Sequence, residues 1–254
     1  NTLWSKTALR NFRIYIYMKI LQFVIALLAV DFAAATFHWF EDNYLYYDFP
    51  FLFLNEISKD NEMHHFMPRV ITYYSFTESV YVPIIISAFY LIVLHLITSF
   101  KMNKYPIFYA TAFVLGSLGN VIHKCQHQRD CERPWFITML YKYKILISRE
   151  KHMAHHAGES NTEFYQRSNN YGLIFEMPNN IYDALDIWPT LEKLIAMFGI
   201  TKCNQRNEYP YRDTFDMDCP PPLKAEDVDD YIKRLKQIYD VELYRKCQPA
   251  CSYM

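Results

Sequence analysis

The chain carries no excess of either charge. With 26 basic and 27 acidic residues among 254, it lacks the basic stripe that phosphate backbones require, which excludes nucleic acid as a partner. Its six cysteines form no C-x-x-C pair, and they read most simply as free thiols of a reducing compartment. Cys125 lies between two histidines, so a ligand role stands beside that of a small buried thiol. Cys247 and Cys251 are near enough in sequence to cross-link. No Asn-x-Ser/Thr acceptor and no H-E-x-x-H motif occur, and the latter absence argues against a zinc hydrolase. Internal repeats and low-complexity tracts are also missing.

What is abundant is aromatic. Aromatic residues make up 18% of the chain, 22 of them tyrosines, a composition suited to interfaces and membrane boundaries. Residues 14–37 are mostly apolar and long enough to cross a bilayer as a helix, with Gln22, Asp31 and Thr36 the polar exceptions after residue 19. Residues 80–100 and 105–122 form a second and a third expected span, joined by the short polar Lys101, Met102, Asn103 and Lys104 into a helical hairpin. Residues 135–147 are apolar but too short to cross, which suits an interfacial helix. A short helix with a glycine stop is expected over 191–199, and an amphipathic helix over 227–245. The expected fold is all-α: a multi-pass membrane helical bundle with a cytosolic histidine-rich cap. Residues 1–13 form a polar lead, 14–199 the membrane domain and 200–254 a charged tail. The chain begins at Asn1 rather than a methionine, which leaves room for an upstream segment.

Eight of the nine histidines fall into four groups: His38 with Asp42, the pair His64 and His65, His123 with His127, and His152 with His155 and His156. If the first span exits on one face at His38, the hairpin leaves that face and returns to it at His123, so all four groups lie on the same side of the membrane. Helical residues four apart share a face, so His38 with Asp42, His123 with His127 and His152 with His156 can each present two ligands to one centre, with His155 joining from the same side. Eight imidazoles and a carboxylate exceed the needs of one four-coordinate zinc, whereas two metal ions would use about that number, and two irons are the natural fit. Such a centre activates O2 to attack unactivated C–H bonds, and the membrane supplies alkyl chains. Asp31, an intramembrane carboxylate, reads either as a helix-packing or as a catalytic residue. His95, alone in the second span, reads as a packing or hydrogen-bonding residue. For orientation, Lys6, Arg10, Arg13 and Lys19 before the first span prefer the cytosol, whereas free thiols near the histidines place those in the cytosol instead. The histidines are assigned to the cytosolic side.

The runs around Asp31-Phe32-Ala33-Ala34-Ala35-Thr36-Phe37-His38-Trp39 with Asp42, Glu62-Met63-His64-His65 with Pro68, Asn120-Val121-Ile122-His123-Lys124 with His127, and Arg149 with His152-Met153-Ala154-His155-His156 resemble, in order and spacing, the Kua or plasmanylethanolamine desaturase family. The resemblance covers about residues 29–199. It implies a multi-pass lipid desaturase of the endoplasmic reticulum membrane, with two Fe ions held by the histidines and Asp42 and O2 as co-substrate. It further implies an ether phospholipid substrate, plasmalogen vinyl ether formation, and electrons from cytochrome b5 and its reductase. Plant relatives desaturate an acyl chain of phosphatidylglycerol. Two departures stand out: Tyr74 and Ser75 occupy places where the family has histidine and aspartate, and Ser160 or Asn161 replaces a further histidine. The alternatives are a non-catalytic membrane scaffold and a lipid hydroxylase built on the same centre.

Overall fold

The computed structural model describes residues 6–45, 52–66, 68–149, 151–152, 155 and 171–200. The tail and its expected amphipathic helix, together with His156, Ser160, Asn161 and the side chain of His65, lie outside the described residues. Every named element within them is helical: α1 (Lys6–Tyr44), α2 (Leu52–Phe66), a 3-10 turn (Pro68–Tyr73), α3 (Phe76–Ile97), α4 (Pro106–Ser117), α5 (Gly119–His127), α6 (Trp135–Lys142), α7 (Glu176–Ala184) and α8 (Ile187–Ala196). An isolated antiparallel bridge joins Leu146 to Phe175.

Three helical stretches are long and apolar enough to cross a membrane: Thr7–Tyr44, Phe76–Ile97 and Pro106–His127. At about 1.5 Å per residue, the 39 residues of α1 run well past a hydrocarbon core of about 30 Å. Its last turns, with His38 and Asp42, therefore have length to spare beyond the core. The third stretch is not the single helix expected over 105–122. It breaks at Leu118 (φ −91, ψ 1), whose N–H reaches the carbonyls of Val114, Leu115 and Gly116 in a tightened turn. Gly116 and Gly119 flank the break, and glycine is the residue that least resists leaving α geometry. Ser75 starts α3 with a capping box: its hydroxyl accepts the Glu78 N–H while the Glu78 carboxylate accepts its own N–H.

The bundle is organised around α4, which packs against both α1 and α3. Ala26, Phe108, Tyr109 and Ala112 form one buried core there. A second core joins Ala35, Trp39 and Tyr44 of α1 to Tyr171 and Trp188, and a third centres on Tyr141, Leu146, Leu173 and Ile174. Asp31, fully buried, ties α1 to α7 and the residue before it: its carboxylate accepts the Phe175 N–H (2.8 Å) and the Tyr182 hydroxyl (3.0 Å). Of its two sequence readings, the packing role is the one these bonds describe. In the same way His95 ends α3, its Nδ1 accepting the Met102 N–H and its carbonyl accepting Lys101.

The short helices carry exposed apolar side chains, among them Trp135 and Phe136 of α6 and, after α8, Met197 and Phe198. With eight residues, α6 is far too short to cross a bilayer. α8 begins earlier than the sequence suggested, at Ile187, and the turn after it reaches Gly199 at φ +78, a conformation glycine adopts without strain.

Candidate metal centre

Four imidazoles converge through their Nε2 atoms. His64 comes from α2, His123 and His127 from one face of α5, and His152 from a helical turn that follows Ser148. Nε2 of His123 lies 3.1 Å from that of His64, 2.9 Å from His152 and 3.3 Å from His127, and His127 and His152 are 2.7 Å apart. All four residues are buried. A neutral ring nitrogen is either one donor or one acceptor, so a single Nε2 facing three others cannot satisfy them all by hydrogen bonding. One cation shared among them can: bonds of about 2.0–2.1 Å place ligand nitrogens roughly 2.9–3.4 Å apart. The donor set therefore fits a metal ion.

A second group lies beside the first. The Asp42 carboxylate is 2.8 Å from His155 Nε2 and 3.4 Å from His38 Nε2. His38 packs against both groups, its ring centroid 4.8 Å from that of His155 and 5.6 Å from that of His123. The other nitrogen of His38, Nδ1, is 3.2 Å from the Tyr171 carbonyl, which accepts its proton and leaves Nε2 to face Asp42. Asp42 is held in turn by Asn61, whose amide donates to Oδ1 at 3.1 Å. Two buried groups, one of four imidazoles and one of two imidazoles and a carboxylate, are thus the arrangement a two-metal site would need.

Of the nine expected site residues, the structure brings together His38, Asp42, His64, His123, His127, His152 and His155. His156 and the side chain of His65 lie outside the described residues. One expectation changes. His152 and His155 do not serve one centre: three residues apart on a single turn, they divide between the two groups. Cys125 is a buried free thiol that joins neither group. Cys131 departs from the free-thiol expectation, being disulfide-bonded.

Several residues that shape the site carried no sequence signal. Tyr171 acts through a backbone carbonyl, which no side-chain pattern reports. Glu176, buried at the start of α7, accepts the Ser148 N–H (3.3 Å) and pairs with Lys151 (3.0 Å), so it grips the turn that carries His152 and His155. The Ser148 hydroxyl in turn accepts the Lys151 N–H. Gln126 donates to the Leu173 carbonyl and fixes α5 against the strap of chain that runs from Tyr171 through α7. Asn61 alone was within reach of pattern reading, since it lies three residues before His64 and shares its helix face.

Position 74 can also be placed. The Tyr74 side chain lines the cavity beside the ligands, and burial, with the charges of Asp60 and Glu78 adding to it, holds its hydroxyl above the ordinary range. Its carbonyl accepts the Lys124 ammonium. Ser75 performs a capping task that aspartate performs equally well.

The cavity itself, about 380 Å3, starts at His38, His64 and His123 and runs down between α1 and α3 over α4 to Leu94 and Phe108. Its walls are mainly aliphatic and small residues, with Glu41, Asp60, Asn61, Tyr74 and Glu78 at the ligand end.

A lipid desaturase domain model matches residues 27–206, well over half of the chain. The chain belongs to the lipid desaturase family. Among its curated relatives, a probable fatty acid desaturase of Acanthamoeba polyphaga mimivirus is 28% identical over 177 residues, covering 70% of this chain and 82% of the viral one. Plasmanylethanolamine desaturase 1 of Mus musculus is 25% identical over 193 residues, covering 72% of this chain and 66% of the mouse protein. No solved structure matches. This lipid desaturase family member thus bears out the resemblance read from its histidine runs, and all of the described ligand groups fall inside the matched region.

Proposed function

We propose that this chain is a membrane di-iron lipid desaturase that uses O2 to introduce a double bond into the alkyl or acyl chain of a phospholipid, with vinyl ether formation on an ether phospholipid as the preferred reaction. The observation that carries this reading is the joining of two buried ligand groups to one end of an apolar cavity within the membrane-spanning helices. His64, His123, His127 and His152 would hold one iron, and His38, Asp42 and His155 the other, with His65 and His156 as further ligands. With iron bound, the centre supplies the oxidising power for R–CH2–CH2–R′ + O2 + 2 e⁻ + 2 H⁺ → R–CH=CH–R′ + 2 H2O.

The chain's own residues supply position and exclusion of water. The hydrogen bond from His38 Nδ1 to the Tyr171 carbonyl and that from Asn61 to Asp42 hold these ligands in one tautomer and one orientation. The apolar walls of α1, α3 and α4 present an alkyl chain to the ligand end without hydrating it. Because the reaction consumes two electrons that the lipid does not supply, a donor is needed, and cytochrome b5 with its reductase is the donor proposed. The enzyme is assigned to the endoplasmic reticulum membrane with its cap toward the cytosol. The basic residues before the first span, Lys6, Arg10, Arg13 and Lys19, favour a second reading, in which their end faces the cytosol and the cap faces the other side. Labelling of exposed Lys142 and Lys144 in sealed vesicles separates the two.

The deciding test is metal content with product analysis. Detergent-purified protein is expected to hold about two irons per chain, with the count falling in His123→Ala and in His155→Ala. Reconstituted with reductant, O2 and an ether phospholipid, it is expected to yield a product lacking two hydrogens. A product that gains one oxygen would make it a hydroxylase. No iron in anaerobically prepared protein would leave a scaffold and overturn the reading.

A further inference from the structure

The cavity has two unlike ends, and the difference bears on which lipids fit. At the ligand end it meets His38, His64 and His123 together with its charged and hydroxyl-bearing wall groups. From there α3 runs from Ser79 to Leu94 along one wall and α5 and α4 run back from His123 to Phe108 along another. Each stretch is sixteen residues, fifteen steps or roughly 22 Å at the helical rise. That is most of a hydrocarbon core of about 30 Å. The far end meets Phe108. Phe108, buried, meets Phe100 edge to face at 4.8 Å, Phe100 stacks on Tyr105 at 4.0 Å, and the Tyr109 hydroxyl donates to the Phe100 carbonyl. A side chain buttressed in this way cannot swing aside without breaking its ring contacts with Phe100 and with Tyr109, the latter at 5.7 Å.

Part-way along, Gly116 of α4 packs directly against Ser87 of α3, and both line the bore. A Cβ on Gly116 would run into the Ser87 hydroxyl, so glycine at this point is what lets α4 close against α3 and the two form one wall of the bore.

We propose that Phe108 at the far end, with the wall that Ser87 and Gly116 form part-way along, sets the length of hydrocarbon chain this protein accepts, acting as a ruler measured from the ligand groups. This inference deepens the desaturase reading and rests on it. The charged groups that line the cavity, Glu41, Asp60 and Glu78, lie at the ligand end, so a lipid's polar head stays there and the methyl end points toward Phe108. The distance between the two ends then fixes how many methylenes lie beyond the reacting carbon. A chain that is too long meets a rigid wall. One that is too short leaves a void whose lining loses its contacts. One methylene more or less in an apolar pocket changes relative kcat/KM by roughly 10–200-fold, so a sharp preference is expected.

The test uses the full chain, metal-loaded, with one ether phospholipid head group and a series of saturated chains that differ by two carbons. Wild-type protein is expected to show a cut-off length beyond which conversion falls at least about tenfold per step. Phe108→Leu, with Phe108→Ala as the larger change, moves the cut-off to longer chains, and Ser87→Leu moves it to shorter ones. A merely structural effect would lower conversion of all lengths together and leave the cut-off in place. Iron per chain is measured in each variant, because Phe108 and Ser87 are remote from the ligands and the count should not change. The same series is scored by thermal stabilisation of the protein on lipid binding, which needs no turnover. If the wild type binds lipids with a length cut-off but converts none, the desaturase reading fails and the ruler stands. If lipids are converted or bound and neither variant moves the cut-off, the ruler is overturned.

Discussion

Asp31→Ala is expected to destabilise the protein through two orphaned donors while sparing the metal groups in whatever protein folds. The carboxylate is fully buried seven residues before His38, and it touches neither ligand group. It accepts the Phe175 N–H at 2.8 Å and the Tyr182 hydroxyl at 3.0 Å, both on the strap that crosses the cap. Truncation leaves both donors without their acceptor. At about 1–3 kcal/mol for each buried unsatisfied group, the loss is about 2–6 kcal/mol. For a chain of this size each kcal/mol lowers Tm by roughly 2–4 °C, so a fall of at least about 4 °C is expected. Asp31→Asn retains an acceptor for Phe175 and should lose about half as much. Tyr182→Phe removes one bond of the pair, and its effect should be largely absent in the Asp31→Ala background, since the bond is already gone. Thermal unfolding in a fixed detergent, read beside iron content, checks this. An unchanged Tm in Asp31→Ala would refute the clamp. Wild-type stability with lost turnover would instead make Asp31 a catalytic group.

Glu176→Ala should cost about 1–3 kcal/mol by stranding the Ser148 N–H and Lys151. Because the turn it grips feeds one ligand to each group, iron should leave both sites together on challenge with a chelator, and Glu176→Gln, which keeps an acceptor for Ser148, should restore most of the retention. Tyr74→His is expected to leave iron per chain unchanged, since four Nε2 atoms already converge without a ligand from that position; a rise in iron would show that a ligand is missing. Gly172→Ala should lower Tm by an amount matching about 1–3 kcal/mol of overpacking, as its Cβ would collide with the side chains of Asn179 and Ile147. An unaltered Tm there would mean that the strap bearing the Tyr171 carbonyl is looser than its contacts indicate.

The membrane character and the histidines that converge were legible in the residues themselves. Apolar runs of spanning length report their environment directly, because backbone polar groups in hydrocarbon must be satisfied within a helix. His38 with Asp42 and His123 with His127 announced their shared faces through a spacing of four, a property of the helix alone. The near-duplicate spacing of His152 and His155 misled for the same reason: helical periodicity says which side chains are neighbours on one turn, but not which of two adjacent centres each one meets. That partition was decided by α1, whose Asp42 faces His155, and by α5, whose histidines meet His152. The break at Leu118 was equally hidden, since two glycines in an apolar run permit a helix as readily as they permit its interruption.

Everything that orients the site came from tertiary structure. The Tyr171 carbonyl on His38, Asn61 on Asp42, Glu176 on the turn at Ser148, and Asp31 on Phe175 join residues 19 to 144 positions apart in the chain. A hydrogen bond between distant segments leaves no periodicity behind it, and one made by a backbone carbonyl leaves no residue type either. The sequence by itself therefore determined that helices cross a membrane and that histidines crowd their ends. Only the packing of α4 between α1 and α3, and of the strap across the cap, decided that those histidines form two groups at the head of one apolar cavity.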